Sequence, residues 1–403
     1  MDHLMLLKMP TAGTPYNFAE IARTTLALLE GKKAQTDFSQ TLKKYLNVEN
    51  LALVNSGTTA FFILLELFKK IRSSEKRDEI ILPAYTAPVL LLPIRAAGLK
   101  AVLVDIDPAT FNMDVHKILN AITPQTLAIM PVHMFGLPMD IAPIVESVVG
   151  QDILVIEDAA SSLGSTIGGR QTGSIAPFGF YSLNRGKNVS TLAGGIIVWK
   201  DQHYSPLVEE LVTALPTVSW KAKFLMWLNF LGLSVAINPL CYTLLLRFIA
   251  KFKHTTLHTH FDSFAYTSMQ AALGNLLWKR IDQLTKRRIK NGKALMRIFA
   301  GKPDFTIPTI LPNSQAAFNQ FPIVVHDLNQ RQRLQEKLLK VGVETTFLYE
   351  KPLHHFFPEL NPFTYDNFPQ ATYLAEHLLL IPTHAQIGPA ILQKIKTVVE
   401  ALN

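Results

Sequence analysis

Cysteine is almost absent: Cys241 is the only one in 403 residues. That excludes internal disulfides and any zinc site built from several thiolates. Charged residues are also sparse, at 17% of the chain, and none gather into a tail of one sign. Lysine and arginine outnumber aspartate and glutamate 39 to 31, a net charge of +8. This favours anionic partners such as phosphorylated ligands or acidic lipid headgroups. The scatter of the charge argues against nucleic acid. There is no internal repeat and no low-complexity segment. The opening MDHLMLLKMPTAG lacks a long apolar core followed by a cleavage signal, so the expected location is cytoplasmic. What the chain has in quantity is hydrophobic residues, 48%, enough to fold throughout. Its length suggests a large domain plus a smaller one.

Short apolar runs alternate with helical patterns through the first half. Strands are expected at 51–54, 79–82, 100–104, 127–131 and 153–156, with a helix at 59–70 between the first two. This alternation predicts an α/β domain with a largely parallel sheet. Ligands of such sheets gather beyond the carboxyl ends of the strands. Composition divides the chain into a large domain over 1–215, an apolar helical insertion over 216–260 and a smaller α+β domain over 261–403. The run HDLNQRQRLQEKLLKVG is the clearest helix of the last part.

Three segments carry chemistry. After the first strand comes NSGTTAFFILLELF, where Ser56, Gly57 and Thr58 open a helix. Free N–H groups and the helix dipole can hold a phosphate there, although the same residues make an ordinary helix cap. In ILVIEDAASSLG, Glu157 and Asp158 end an apolar strand, which puts a carboxylate at the functional edge of the sheet. In GFYSLNRGKNVSTLAGG, Lys187 sits in a small-residue loop between Tyr181–Ser182 and Gly194–Gly195. A partly desolvated lysine has a lowered pKa and can act as a neutral nucleophile. Each segment alone has a plain structural explanation. In this order they match what pyridoxal 5'-phosphate (PLP) requires: a phosphate cradle, a carboxylate for the pyridine nitrogen and a lysine for the aldehyde carbon.

With these motifs the chain resembles the DegT/DnrJ-type sugar aminotransferases, a branch of the fold-type-I PLP enzymes, nearest a perosamine-synthase-like subgroup. The likeness begins near Phe38 and is interrupted at about 215–260. It rests on NSGTTA, EIILPAYTAP, VDIDPATFNMD, PVHMFGLPMDI, VIEDAASSLG, FYSLNRGKNVSTLAGG, MQAALG, KPLHH, NFP and IPTH. The resemblance implies a large, mainly parallel seven-stranded sheet domain with a smaller C-terminal α+β domain. It makes Lys187 the Schiff-base lysine and Asp158 the partner of the pyridine nitrogen. It assigns Ser182 and the Gly57–Thr58 backbone to the phosphate, with Ser56, Tyr85 and Ser161 completing the expected cofactor pocket. It places Tyr349 and His354 toward the substrate. It further implies glutamate as amino donor, a keto group on a nucleotide-linked sugar as acceptor, and a homodimer with shared active sites. Relatives with dehydratase activity carry histidine at the lysine position, so Lys187 favours transamination.

Several positions depart from the family pattern. The usual ring-stacking aromatic falls at Ala87, and Tyr85, on the same side of an extended segment, could substitute. Ser161, Leu163, Ala193, Ser263 and Ala265 replace the family's glutamine, histidine, glutamate, asparagine and arginine. These departures leave room for a lipid-linked or non-sugar carbonyl substrate, or for an inactive membrane-bound scaffold. His354, His355 and His384 have no carboxylate or cysteine at ligand spacing beside them, so no metal is expected. Finally, 224–246 contains no charged residue. Asn238–Pro239 would break a single helix across it, while Lys221, Lys223, Arg247, Lys251 and Lys253 flank it. Two readings fit 220–253: two short helices resting on the inner face of the membrane, or a helical hairpin buried in the dimer interface or against the large domain.

Overall fold

The computed structural model describes the chain except residues 1–6, 11–12, 14–15, 17, 27–32, 73–75, 239, 245–256, 362–364 and 403. Arg247, Lys251 and Lys253, expected to flank the apolar insertion, fall outside the described residues.

Seven strands form the central sheet: β1 (Asn50–Val54), β2 (Glu79–Pro83), β3 (Lys100–Val104), β4 (Thr126–Ile129), β5 (Leu154–Asp158), β6 (Phe178–Ser182) and β7 (Gly195–Trp199). Their order is β1-β7-β6-β5-β4-β2-β3. Only β7 runs antiparallel to its neighbours, β1 and β6. The five strands expected from the sequence are present within two residues of their expected ends. The expected α/β architecture with a mainly parallel seven-stranded sheet is therefore the observed one.

Both faces of the sheet are covered, as a parallel sheet requires. Side chains alternate along each strand. On one face, Phe180 and Ile197 join Phe61, Leu64 and Phe68 of the helix Gly57–Ile71. On the other, Tyr181, Ile196 and Val198 join Phe38 and Leu42 of the helix Lys33–Leu46 and Met269, Leu273 and Trp278 of the helix Ser268–Trp278. Those last two helices approach closely. A Cβ at Gly274 would lie 2.4 Å from the Phe38 ring. Ser268–Trp278 thus lies against the large sheet, although composition placed the whole helix with the smaller domain over 261–403.

Beyond the helix Ile281–Phe299, a three-stranded antiparallel sheet (Phe305–Thr306, Phe321–Val325 and Leu378–Ile381) forms the centre of the smaller unit. The helix Leu328–Lys340 packs on it, capped by Asp327, whose side chain accepts from the Gln330 N–H. The apolar insertion begins with a helix, Trp220–Ala236, capped by Ser219. One side of it is anchored: Phe230 meets Tyr16 at 5.1 Å between ring centroids, and Trp227 donates to Thr25. The other side leaves Trp220, Phe224, Leu225 and Leu228 exposed. Among the described residues, no helix is long and apolar enough to cross a membrane.

Candidate active site

The site lies at the carboxyl ends of the strands. Asp158 is the last residue of β5 and is buried. Its backbone carbonyl accepts from His133 N–H and its carboxylate accepts from Ala160 N–H at 2.8 Å. Burial raises its pKa, against the lowering effects of the Ala160 N–H, Lys187 and His133. A buried carboxylate in this position calls for a cationic partner.

Glu157 points the other way, as the period of a strand demands. Its Oε2 accepts from the backbone N–H groups of Ile175 and Ala176, and its Oε1 lies 3.2 Å from His133 Nε2. The Met139 N–H donates to His133 Nδ1, so His133 carries its proton on Nε2 and gives it to Glu157. The pair holds the end of β5 in place behind Asp158. His133 stands in PVHMFGLPMDI, a segment that had marked the resemblance without assigning this histidine a task. Nothing local marked it as a neighbour of β5, 24 residues away.

Lys187 reaches the same point from the loop between β6 and β7. Its Nζ donates to Ser161 Oγ at 2.9 Å. Burial lowers its pKa, opposed by Asp158. The loop is tied at many points. Leu183 N–H donates to Gly194, Thr191 N–H to Leu183, and Asn188 to the Leu163 carbonyl. Tyr16 and Tyr266 donate to Ser190 and Thr191. Gly186 (φ +81°) gives the chain its left-handed turn just before the lysine, while Leu192 is held at φ +76°. A non-glycine residue in that region costs on the order of 1–3 kcal/mol, so the surrounding contacts over-determine the loop.

Ser182 ends β6 beside the start of the Gly57–Ile71 helix. Ser56 is the N-cap and accepts from Thr59 N–H at 3.0 Å. A Cβ at Gly57 would come within 3.0 Å of Ser182 Cβ, and one at Gly195 would strike the Ser56 carbonyl at 2.1 Å. The two glycines therefore bring the Ser182 hydroxyl, half-buried Thr58 and the first N–H groups of the helix into one recess. Those N–H groups have no helical acceptor and the dipole favours an anion. The residues fit a group with a phosphate, a ring cation and an aldehyde.

Tyr85 is fully buried, with its ring against Phe135 and Tyr349. Its hydroxyl donates to the carbonyls of Phe347 and Tyr349 at 3.3 and 3.2 Å. Burial, and next the charge of Asp158, raise the pKa of Tyr349. His354 is buried further along, with Nε2 3.1 Å from an Asp366 oxygen. His384 lies elsewhere, its Nε2 donating to the Pro10 carbonyl at 2.8 Å. Of the other departures from the family pattern, Leu163 is a core residue and Ala193 presents its carbonyl to Thr191 and Gln270.

The model of the DegT/DnrJ/EryC1/StrS aminotransferase family matches residues 16–403. A GDP-4-keto-6-deoxy-D-mannose 3-dehydratase of Yersinia pseudotuberculosis is 25% identical over 363 residues, 88% of this chain and 86% of the relative. A GDP-perosamine synthase of Caulobacter vibrioides is 36% identical over 165 residues, 41% of this chain and 43% of the relative. The Escherichia coli GDP-4-keto-6-deoxy-D-mannose-3-dehydratase, solved with bound hydrated PLP, superposes with a TM-score of 0.76 at 21% identity, covering 99% of this chain and 100% of that one. The chain belongs to the DegT/DnrJ/EryC1/StrS aminotransferase family and is a PLP-dependent enzyme of it.

Proposed function

We propose that this enzyme moves an amino group from glutamate to a keto group of a nucleotide-linked sugar, with Lys187 as the lysine that attaches the cofactor. The observation that carries the reading is Lys187 itself, desolvated, bonded to Ser161 and close enough to Asp158 to feel its charge. Asp158 would hold the ring nitrogen, and Ser182, Ser56 and the N–H groups of Gly57 and Thr58 would hold the phosphate. Bound PLP supplies an electron sink for the charge that develops on the substrate carbon.

The chain's own residues do the rest. Lys187, with its lowered pKa, is a neutral amine at a larger fraction near neutral pH, so it can take a proton from one carbon and return it to another. Ser161 holds Nζ and limits where it can swing. The buried His133–Glu157 pair keeps Asp158 in register. Tyr349 and Tyr85 close the side of the site nearest the smaller unit. The dehydratase relative raises the competing reaction; Lys187 in place of histidine favours transamination. We further propose a homodimer, as the resemblance implies, and contact with an acidic membrane surface through the Trp220–Ala236 helix. The support for the latter is the exposed Trp220, Phe224 and Leu228 beside Lys221 and Lys223.

The test is the visible absorption of the PLP-loaded protein beside Lys187→Ala, before and after glutamate. We expect a yellow band in the parent, bleached by glutamate and missing from the variant. The aminated parent should then turn over a nucleotide-linked keto sugar, with Lys187→Ala slower by at least about 10²–10⁴-fold. A colourless parent would favour the inactive scaffold. Bleaching by glutamate without turnover of nucleotide-linked keto sugars would favour a lipid-linked or non-sugar carbonyl.

A further inference from the structure

His354 and His355 are consecutive residues on the one-turn helix Leu353–Phe356. Neighbours on a helix point about 100° apart, yet these two rings lie 4.4 Å apart between centroids. Both turn toward Asp366, which arrives from a separate segment before the helix Pro369–His377. One donor atom of each residue lies within 4.8 Å of the other two. The expectation of no metal here rested on the lack of a carboxylate nearby in sequence; the fold supplies one from 11 residues beyond His355.

We propose that His354, His355 and Asp366 form a binding site for a divalent first-row metal ion of the zinc class. The closest pair, His354 Nε2 and Asp366 Oδ1, is separated by 3.1 Å. Donors at 2.0–2.1 Å around a tetrahedral zinc ion stand about 3.4 Å apart, so this pair already has the spacing of two ligands. His355 is exposed, and a side-chain rotation can close the remaining gap. Its ring makes no hydrogen bond among the described residues that would oppose this.

The carboxylate of the site is braced by hydrogen bonds, as ligating carboxylates are. The Asp366 carboxylate accepts from the Phe368 N–H at 2.7 Å and from the Thr372 hydroxyl. The His354 ring packs against Phe368 at 5.0 Å. His354 Nδ1 is buried without a hydrogen-bond partner, so the proton it carries when Nε2 presents a lone pair lacks the outer-shell acceptor usual for metal-bound imidazoles, and the bracing comes from the Asp366 side. A plain His354–Asp366 hydrogen bond accounts for that pair alone, and leaves the turn of His355 toward it without a cause. Two imidazoles and one carboxylate are the ligand chemistry of zinc and its neighbours. Three protein ligands leave a position open toward a cleft of about 450 Å³ that Lys351, Asn361 and Tyr365 also line. A dication beside one carboxylate leaves net positive charge there, so the open position suits water or an anionic oxygen.

The test titrates Zn²⁺ and Co²⁺ into the PLP-loaded full-length protein. We expect one ion per chain and the visible bands of tetrahedral Co²⁺. His355→Ala and Asp366→Asn, both at exposed positions, should each weaken binding by more than the roughly 10–100-fold that loss of an outer-shell partner costs. The cofactor band and the melting temperature of the metal-free variants should stay at the parent values, which separates loss of a ligand from loss of the fold. Absence of stoichiometric binding would overturn the proposal, as would parental affinity in both variants. Neither readout depends on the cofactor reaction, so the site and the proposed activity can fail separately.

Discussion

His384 shows how burial, ahead of neighbouring charge and hydrogen bonding, sets the behaviour of a residue. It is buried, its pKa lowered to about 4 by burial first and by the charge of Arg288 second, with the hydrogen bond to Pro10 opposing. The folded protein therefore keeps it neutral, while the unfolded chain binds a proton below about 6.5. The unfolded state holds more protons between those values, so stability is intact above about 6.5 and falls as the pH drops toward 4. The slope is about 1.4 kcal/mol per pH unit for one group. His384→Gln should flatten that part of the curve. Chemical denaturation of both proteins across pH 4 to 7 checks this, and parallel curves would show that His384 is not the group responsible. His384 carried no assigned task in the sequence; its hydrogen-bond partner, the Pro10 carbonyl, lies 374 residues away.

At the level of elements, the phosphate recess depends on how closely β6, β7 and the Gly57–Ile71 helix approach one another. NSGTTA was legible as a helix start because serine and threonine before an apolar periodic run are cap signals. Its proximity to Ser182 was not legible, since no local pattern reports the distance between two strand ends. Two substitutions separate binding from folding. Gly57→Ala needs the neighbour at 3.0 Å to give by a few tenths of an ångström, so it should reduce PLP affinity more than stability. Gly195→Ala meets backbone at 2.1 Å and should cost about 3 kcal/mol or more, the upper end of overpacking. Fluorescence titration with PLP and thermal melts of both variants make the comparison. Equal loss of affinity and stability at Gly57 would mean the recess is structural only.

At the level of the whole molecule, the apolar side of the Trp220–Ala236 helix governs how the protein meets its surroundings. No aspartate or glutamate occurs between Glu210 and Asp262, so the charges carried by this segment itself are all basic. Such a surface suits anionic lipid, where each lysine near the headgroups adds about 1 kcal/mol. We expect the protein to float with vesicles containing an acidic phospholipid and to lose this with the triple substitution Trp220→Ser, Phe224→Ser and Leu228→Ser. The sedimentation coefficient should stay that of a dimer throughout. A triple variant that sediments as a monomer would instead make this face the subunit interface.

The α/β class, the five first strands and the family were legible in the sequence, and so were the motifs from which roles for Lys187, Asp158 and Ser182 are proposed. Periodicity, caps and short ordered motifs are local, and each sits within one strand or one turn. Tertiary structure alone decided that Ser161 meets Lys187, that His133 backs Asp158 through Glu157, that Tyr85 bonds to the 347–349 carbonyls, and that Asp366 joins two histidines. Each of these joins residues from separate elements, and only the packing of those elements sets the distance between them.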